Sequence, residues 1–275
     1  GKGVTVCETL EQAEGALKEA MRDKVFGDAG TKVVIEEFLK GEEASVLAFV
    51  DGESIVPMVS AQDHKRVFDD DKGPNTGGMG AYSPAPVVSS SLEIQILEKI
   101  LKPTVDGLKK KGITYRGILY AGLMITSDGP KVIEYNCRFG DPETQVILPR
   151  LKTDLVNILM AVAQGKLSHL KVEWDERPAA CVVMASGGYP GTYAKGKTIR
   201  GLKEAAQVKD AMVFHSGTAL KDGEVVTAGG RVLCVTGWGD TIEAAIRKAY
   251  EAAKLIHFDE AHYRMDIGWR AIGRK

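Results

Sequence analysis

The sequence has few of the features that mark secreted, zinc-binding or membrane proteins. Its four cysteines lie far apart and form no CxxC pair, which argues against a zinc site and against a disulfide framework. Its most apolar stretch, from 118 to 125, is far shorter than the roughly 20 residues that a membrane span needs. We therefore expect a protein of a reducing compartment, either the cytoplasm or an organelle reached after removal of a transit peptide.

The chain also lacks an excess of charge of either sign. Its 36 lysine and arginine residues balance 37 aspartate and glutamate residues, which leaves a formal charge of -1. Without a polybasic surface, neither nucleic acid nor an acidic membrane is an expected partner. We expect small-molecule partners instead, and the sequence carries no signal for an oligomeric state.

The first part of the chain mixes helical and strand patterns. Thr9 and Gln12 form a capping box before apolar residues at helical spacing, which predicts a helix over 9–23. Residues 63–86 have no usable period and predict a long loop, in which the acidic residues 69–71 look like a solvated charge run. Further predicted elements are an antiparallel meander over 33–35, 44–50 and 54–59, a helix over 91–111 kinked at Pro103, a hairpin of 118–126 with 131–136, and a helix with Asp141 as N-cap and Pro142 as its first residue.

The pattern changes near residue 177. From 179 to 236, short β-rich runs alternate with glycine turns, and a final helix over 240–256 has Asp240 as its predicted N-cap and Glu243 at its third position. A length of 275 residues with 44% hydrophobic content allows two domains with substantial cores. We predict one domain over 1–176 and a small β-rich domain over 177–275.

Glu134, Asn136 and Arg138 alternate along one predicted strand, so their side chains leave the same face while the strand lasts. Ile133 and Tyr135 point to the opposite face. A carboxylate and an amide oxygen suit Mg²⁺, which completes its octahedron with water and phosphate oxygens. Arginine offers a bidentate donor to phosphate or carboxylate. The spacing alone favours an ordinary exposed strand face.

A second group of candidate residues lies over 35–45, where one predicted strand ends and the next begins. An adenine ring needs a hydrogen-bonding backbone edge at a strand end, and a ribose needs a nearby carboxylate to accept its hydroxyl groups. The alternative is a hairpin that carries solvated glutamates.

A third group combines the basic segment 63–66 with the glycine-rich segment 73–82. Glycines allow positive φ angles and close approach of the backbone, so successive N–H groups can form an anion-binding concavity beside Lys65 and Arg66. The segment matches neither a Walker loop nor a dinucleotide fingerprint. The alternative is a disordered surface loop.

In this order, the three groups resemble the ATP-grasp superfamily, and within it the glycinamide ribonucleotide synthetase family. The resemblance covers nearly the whole chain, and its most specific stretches are QDHKR at 62–66, residues 73–86, EYNCRFGDPETQ at 134–145, GGRVL at 229–233 and DIGWR at 266–270. It implies an α+β fold of the ATP-grasp type, with antiparallel sheets and helices, followed by a small β-rich C-terminal domain. It also implies a ligase of purine biosynthesis that joins glycine to phosphoribosylamine through a glycyl phosphate, with ATP and Mg²⁺ or Mn²⁺.

The resemblance implies a role for each candidate residue. Glu134 and Asn136 are the expected metal ligands, and the preceding strand has no carboxylate to add a further ligand, unlike many members of the superfamily. The expected catalytic residues are Arg138, Lys65 and His64; the expected ATP-binding residues are Lys2, Glu36, Glu37, Phe38, Leu39, Glu43 and Lys65; and the expected substrate-binding residues are Asp63, Asn75, Thr76, Gly77, Gly78, Arg138, Asp141 and Arg231.

Several of these roles have alternatives. His64 is either a base for the attacking amine or a hydrogen-bonding histidine, Asp141 is either a helix cap or a substrate contact, and Arg231 is either a substrate contact or a surface arginine. Two other functions also stay open: an ATP-grasp enzyme that uses bicarbonate or formate, and a non-catalytic nucleotide-binding fragment. Because residues 1–4 look like the tail of a glycine-rich loop, we expect that preceding sequence is absent, and the resemblance implies that this sequence includes an N-terminal domain.

Overall fold

The computed structural model describes residues 3–274 and contains two compact units, of which one ends at Gly41 and the other begins at Glu42. Within residues 3–274, no helix is long and apolar enough to cross a membrane.

The first unit is mainly helical. The Thr9 side chain accepts a hydrogen bond from the Gln12 N–H and caps α1 (Leu10–Leu17), which continues as a π turn over Lys18–Arg22. The predicted helix over 9–23 is therefore confirmed, and a 3-10 turn (Gly27–Thr31) follows it.

The strand predicted over 33–35 is wrong. Residues 34–40 have no regular structure, and Val34 and Ile35 are 75% and 81% exposed. A strand needs a neighbour to satisfy its backbone groups, and no strand of the described residues pairs with this segment.

The second unit contains two larger antiparallel sheets, two small hairpins and six α-helices among its described residues. Its strands are β1 (Glu42–Val50), β2 (Ile55–Pro57), β3 (Gln62–Asp63), β4 (Arg66–Phe68), β5 (Lys72–Asn75), β6 (Gly80–Ser83), β7 (Gly117–Thr126), β8 (Gly129–Asn136), β9 (Ala179–Ala185), β10 (Ala211–His215), β11 (Thr218–Lys221), β12 (Glu224–Thr227) and β13 (Arg231–Trp238). Its helices are α2 (Ser90–Ile96), α3 (Lys102–Lys110), α4 (Thr144–Ile147), α5 (Leu155–Gln164), α6 (Leu202–Ala205) and α7 (Ile242–Ala253).

The first sheet has the strand order β2-β1-β7-β8 and two different faces. Val46 and Ala48 of β1 pack on one face with residues of α2 and α3. Leu47 and Phe49 lie on the other face, in a core shared with α5, β9 and β13. Since successive side chains of a strand alternate between faces, the odd-numbered residues of β1 face the second sheet.

The helix predicted over 91–111 is present, with an irregularity before Pro103. Helix α2 passes into a π turn over Leu97–Leu101, and α3 follows with Pro103 in its first turn. Proline has no N–H to donate and its ring crowds the preceding turn, so a π turn at this point is the local response to the residue.

The second sheet has the strand order β10-β13-β9-β6-β3. The long loop predicted over 63–86 is wrong in part, because β6 lies within it and is fully buried between β3 and β9. A Cβ at Gly80 would lie 2.5 Å from the Cys181 carbonyl oxygen, so glycine here permits close packing. Since this sheet joins strands from both sides of residue 176, the domain boundary stays a prediction.

The helix predicted after Asp141 begins later than expected. Helix α4 starts at Thr144 with Glu143 at its N-cap position. The Asp141 carboxylate does not cap backbone N–H groups, because it accepts a hydrogen bond from the Gln145 side chain at 3.0 Å.

The final helix is confirmed, but its cap is one residue later than predicted. The Thr241 side chain accepts a hydrogen bond from the Ala244 N–H, and α7 begins at Ile242. Thr241, and not Asp240, is therefore the N-cap.

Candidate active site

Glu134 and Asn136 share one face of β8, as the spacing predicts. The Asn136 amide donates a hydrogen bond to the Glu134 carboxylate over 3.2 Å. Across the sheet, Glu134 pairs with Gly122 and Asn136 pairs with Tyr120, so both side chains lie on the face that Tyr120 presents to the core.

These two side chains fit a divalent cation. A carboxylate and an amide oxygen are hard donors of the kind that Mg²⁺ accepts, and an exchange of the amide N and O atoms of Asn136 turns both oxygens to the same point. A Cβ at residue 122 would lie 3.2 Å from Glu134 Cγ, so Gly122 leaves room for the carboxylate. No group of three or more His, Cys, Asp or Glu side chains within residues 3–274 is placed to hold a metal, so water and ligand oxygens would complete the coordination.

The opposite face of β8 has a different role. The Tyr135 and Thr104 hydroxyl groups are 2.7 Å apart, and Thr104 belongs to α3. The predicted alternation of Tyr135 against Glu134 and Asn136 is therefore confirmed.

Arg138 lies beyond the end of β8, which stops at Asn136. Its guanidinium donates to the carbonyl oxygen of Phe139 at 2.8 Å, and its side chain is exposed. The strand does not carry Arg138 onto the face of Glu134 and Asn136, and its catalytic role stays a prediction.

Lys65 and Glu43 form an ion pair on the side of the first sheet that also carries Glu134 and Asn136. Burial alone would lower the pKa of Lys65, but the negative charges of Asp63 and Glu43 outweigh burial and raise that pKa. The ammonium of Lys65 therefore stays charged, as a phosphate-binding lysine must.

A buried carboxylate, Glu143, lies beside this pair. The carboxylate accepts hydrogen bonds from the hydroxyl groups of Ser45 and Tyr120 at 2.9 and 2.5 Å, and Glu143 is only 4% exposed. Burial and then the charge of Glu143 raise the pKa of Tyr120, so its hydroxyl remains a donor.

Asp63 is the second buried carboxylate of this region and is 8% exposed. Burial, followed by the charge of Glu143, raises the pKa of Asp63 to about 7, against the opposing effect of Lys65. A carboxyl group with this pKa exchanges its proton near neutral pH, which is the property of an acid–base group.

His64 points away from Asp63 and Lys65 and is fully buried. Its Nε2 accepts a hydrogen bond from the Gly268 N–H at 3.0 Å, and its Nδ1 lies 3.9 Å from the Asp71 carboxylate. Burial lowers the pKa of His64. This contact fits the alternative of a hydrogen-bonding histidine, and the role of His64 as a catalytic base stays a prediction.

The glycine-rich segment 73–82 is ordered by its own hydrogen bonds. The Thr76 N–H donates to the Lys65 carbonyl oxygen at 2.7 Å, the Gly77 N–H to the Tyr189 hydroxyl at 3.0 Å, and the Gly78 N–H to the Thr76 hydroxyl at 2.9 Å. These donors are therefore engaged and do not form the open anion-binding concavity that the glycines predict. Asn75 lies exposed at the end of β5, and the substrate-binding roles of Asn75, Thr76, Gly77 and Gly78 stay predictions.

Arg231 joins this segment to the start of α4. Its Nη1 donates to the carbonyl oxygens of Gly77 and Asp141 at 2.6 and 2.9 Å, and it lies 3.3 Å from the Asp141 carboxylate. Arg231 is thus more than a surface arginine, because it fixes two candidate substrate-binding segments to each other. Direct contact of Arg231 or Asp141 with substrate stays a prediction.

The candidate adenine-binding residues belong to the first unit. Phe38 is 48% exposed, and the roles of Glu36, Glu37, Phe38 and Leu39 stay predictions. Lys2 lies outside the described residues.

Comparison with known proteins decides the family. The model for the phosphoribosylglycinamide synthetase ATP-grasp (A) domain matches residues 1–144, and the model for the C domain of the same synthetase matches residues 179–270. The chain belongs to the phosphoribosylglycinamide synthetase family. The two matched ranges lie on either side of the predicted domain boundary at 176/177.

Curated relatives of the family align along the whole chain. The phosphoribosylamine–glycine ligases of Pseudomonas aeruginosa and Escherichia coli K12 are 55% and 56% identical over 276 and 277 residues, and the match covers 100% of this chain. The chain spans 64% of the length of each of these relatives.

Solved structures confirm the α+β, ATP-grasp fold. A phosphoribosylamine–glycine ligase from Thermotoga maritima superposes with a TM-score of 0.83 at 39% identity, covering 97% of this chain and 66% of that one. A biotin carboxylase domain from Hydrogenobacter thermophilus, solved with MgADP and bicarbonate, gives a TM-score of 0.67 at 15% identity and covers 95% of this chain and 55% of that one. At that identity the second likeness concerns the fold alone.

Sequence reasoning missed three side chains, Ser45, Tyr120 and Glu143, that lie next to the polar sheet face. We use this name for the face of the first sheet that carries Glu134 and Asn136. Ser45, Tyr120 and Glu143 meet although 98 residues separate the first from the last. Ser45 and Glu143 lie in segments that the sequence singles out, but it assigns neither of them a role. One signal was present: Gly140 precedes Glu143, and a Cβ there would lie 2.3 Å from a Glu143 carboxylate oxygen.

The acidic residues 69–71 were also misjudged. Asp71 accepts a hydrogen bond from Arg264 at 2.9 Å and pairs with Arg270. The His64 imidazole and these two guanidinium groups hold the pKa of Asp71 well below its ordinary value. The charge run is therefore tied to the C-terminal part of the family's C domain, and is not simply solvated.

Proposed function

We propose that this protein joins glycine to 5-phosphoribosylamine, consumes ATP, and gives glycinamide ribonucleotide, ADP and phosphate in de novo purine biosynthesis. The observation that carries the proposal is the polar sheet face, where the Glu134 and Asn136 pair shares one side of the sheet with Lys65, Glu43 and Asp63. The names of the curated relatives support the same activity.

The chemistry explains why such a face is needed. The carboxylate of glycine does not react with an amine, because oxide would have to leave. Transfer of the γ-phosphoryl group of ATP onto that carboxylate gives an acyl phosphate, and the amine then displaces phosphate. Phosphoryl transfer depends mainly on positioning and on neutralising charge, so no nucleophilic serine or cysteine is required.

Each group on the face has a place in this scheme. Glu134 and Asn136 would hold Mg²⁺ or Mn²⁺, which neutralises the charge of the phosphate oxygens when bound. Lys65 would contact the phosphates and Glu43 the ribose hydroxyl groups. Arg138 would meet phosphate or carboxylate from its exposed position after β8.

Asp63 is the group best suited to accept the proton that the amine loses. The attacking amine loses a proton as the amide forms, and a carboxyl group whose pKa is about 7 accepts it efficiently near neutral pH. We further propose that the protein acts in the cytoplasm on small molecules, without nucleic acid or membrane as a partner.

The test is an ADP-release assay with ATP, Mg²⁺, glycine and phosphoribosylamine generated in the reaction. Because the chain spans 64% of its curated relatives, the assay compares the 275-residue chain with a version extended to their full length. We expect ADP release that depends on both glycine and the amine. Absence of ADP release from both proteins, beside an active relative as control, would refute the proposal.

The same assay separates the alternatives. ADP release with bicarbonate or formate in place of glycine would indicate another ATP-grasp activity. Binding of ATP·Mg²⁺ without turnover by the extended protein would indicate a nucleotide-binding role alone.

A further inference from the structure

Glu143 is the most deeply placed acidic group of the candidate site and has no role in the scheme above. It is 4% exposed, and no cation lies within ion-pair distance of its carboxylate among the described residues. A buried carboxylate without an ion-pair partner carries a high desolvation cost. Such a group is retained either for structure or because its charge serves the site.

The hydrogen bonds of Glu143 connect three elements. Ser45 lies on β1, Tyr120 on β7, and Glu143 itself at the start of α4. The two hydroxyl groups are 2.8 Å from each other, so both donors and the carboxylate form one closed group. Movement of Glu143 therefore disturbs both central strands of the first sheet.

Tyr120 links this group to the candidate metal ligands. It pairs with Asn136 in the strand register, and the neighbouring Gly122 pairs with Glu134. A Cβ at Gly140 would lie 3.0 Å from the Tyr120 ring and 2.3 Å from the Glu143 carboxylate, so the backbone after β8 packs directly on both side chains. The position of the polar face thus depends on Glu143 through Tyr120.

The charge of Glu143 also affects Lys65, which we assign to the phosphates, and Asp63, which we assign to the proton of the amine. Its negative charge helps to keep Lys65 protonated and raises the pKa of Asp63. The other charged or titratable groups near Asp63 are Lys65 and Glu43, while the Tyr120 hydroxyl, which Asp63 also influences, stays protonated.

We propose that Glu143 is a positioning residue of the phosphoryl-transfer site, which fixes the Glu134 and Asn136 face through its hydrogen bonds with Tyr120 and Ser45. The proposal rests on the proposed function for its activity readout. It assigns Glu143 no contact with substrate.

The test compares Glu143→Gln, Tyr120→Phe and Ser45→Ala in the full-length protein, with Asp154→Asn as a matched control. Glutamine keeps the acceptor oxygen and removes the charge, whereas the other two changes remove one donor each. Asp154 is also a carboxylate at a helix start, where it caps α5 by accepting from the Asn157 N–H, so its amide variant controls for loss of a charge at such a place.

For Glu143→Gln we expect kcat to fall 10-fold to 100-fold. The acid limb of its pH–kcat profile moves to lower pH, since Asp63 loses the neighbouring charge that favours its protonated form. Tyr120→Phe and Ser45→Ala lower kcat less and leave the profile in place. A merely structural role would lower stability without moving the profile.

Wild-type kcat and pH profile in Glu143→Gln would overturn the proposal. If Glu143→Gln does not fold, wild-type kcat in both Tyr120→Phe and Ser45→Ala would overturn it. Failure of the wild-type protein to release ADP refutes the proposed function instead, and the comparison then uses calorimetric binding of ATP·Mg²⁺. In that case, at least threefold weaker binding by Glu143→Gln supports the positioning role, and unchanged binding overturns it.

Discussion

The side chains of residues 63–65 point to two sides of the segment, and on each side they belong to a different kind of buried ionic cluster. Asp63 and Lys65 face a side with Glu43 and Glu143, where three carboxylates surround one ammonium. His64 faces the other side, where Asp71, Asp266, Arg264 and Arg270 balance each other. The segment 63–65 therefore separates an excess of negative charge from a neutral cluster.

The difference between the clusters indicates their roles. Arg264 is fully buried, and its donors reach both Asp266 carboxylate oxygens, Asp71 and the Arg66 carbonyl oxygen. The two guanidinium groups and the two carboxylates of this cluster therefore balance each other within the protein. The cluster of Asp63 and Glu143 contains raised pKa values and an excess of negative charge. Both properties are common among groups at functional sites.

The largest expected effect concerns the side with excess negative charge. Replacing Glu134 by Gln removes the carboxylate ligand of the proposed metal, and we expect the rate of ADP release to fall about 100-fold or more, because the charge of the phosphate oxygens is then less well neutralised. The matched control is Asp128→Asn, an exposed residue in the turn of the same hairpin. ADP release within threefold of wild type in Glu134→Gln would place the metal elsewhere.

The neutral cluster is expected to affect stability instead. Arg264→Met leaves Asp71 and Asp266 without their central partner, and we expect the free energy of unfolding to fall by about 3–5 kcal/mol. Urea denaturation measures this change. Arg274→Met, which breaks an exposed pair with Glu42, serves as a control and should cost at most about 1 kcal/mol. Equal losses in the two variants would remove the distinction between the clusters.

The pH dependence of stability sharpens the comparison. Because the pKa of Asp63 is raised to about 7 in the folded protein, the folded state binds more protons than the unfolded state between about pH 4 and 7. The contribution of Asp63 to stability is therefore present below this window and is lost as the pH rises, by about 1 kcal/mol per pH unit. Urea denaturation of wild type and Asp63→Asn at pH 5 and pH 7 measures it.

In this experiment the wild-type protein should lose stability relative to Asp63→Asn between pH 5 and pH 7. Asp128→Asn again provides the control, since its difference from wild type should not change with pH. A constant difference between wild type and Asp63→Asn would mean that the carboxylate cluster is as well compensated as the cluster around Arg264.

The smallest expected effect on stability concerns an ordinary polar contact in the C-terminal half, the N-cap of α7. Thr241→Ala removes the N-cap of α7, and we expect it to lower the free energy of unfolding by about 1 kcal/mol. Asp240→Ala should have little effect, because Thr241 holds the cap. If Asp240→Ala lowered the stability more than Thr241→Ala in thermal or urea denaturation, Asp240 would be the N-cap, as the sequence predicts.

Prediction from the sequence succeeded where the information is local. The alternation of Glu134 and Asn136 against Tyr135 follows from the geometry of a single strand, and the capping box at Thr9 follows from one helical turn. Both depend only on residues a few positions apart.

Prediction failed where distant residues decide the structure. Strand β6 reads as a loop because Gly80 and its neighbours have low strand propensity, yet β3 and β9 enclose them. No local pattern indicates that His64 accepts a hydrogen bond from the N–H of Gly268, which lies 204 residues away. Tertiary packing overrides local preference in both cases.

Gly122 gives the candidate site a property that no functional group supplies. It lies opposite Glu134 in the strand register, and a methyl group there would come within 3.2 Å of Glu134 Cγ. Gly122 therefore leaves the Glu134 side chain room above the sheet. An alanine at residue 122 would narrow the range of conformations open to that side chain, so this range is set partly by a missing carbon atom on the neighbouring strand.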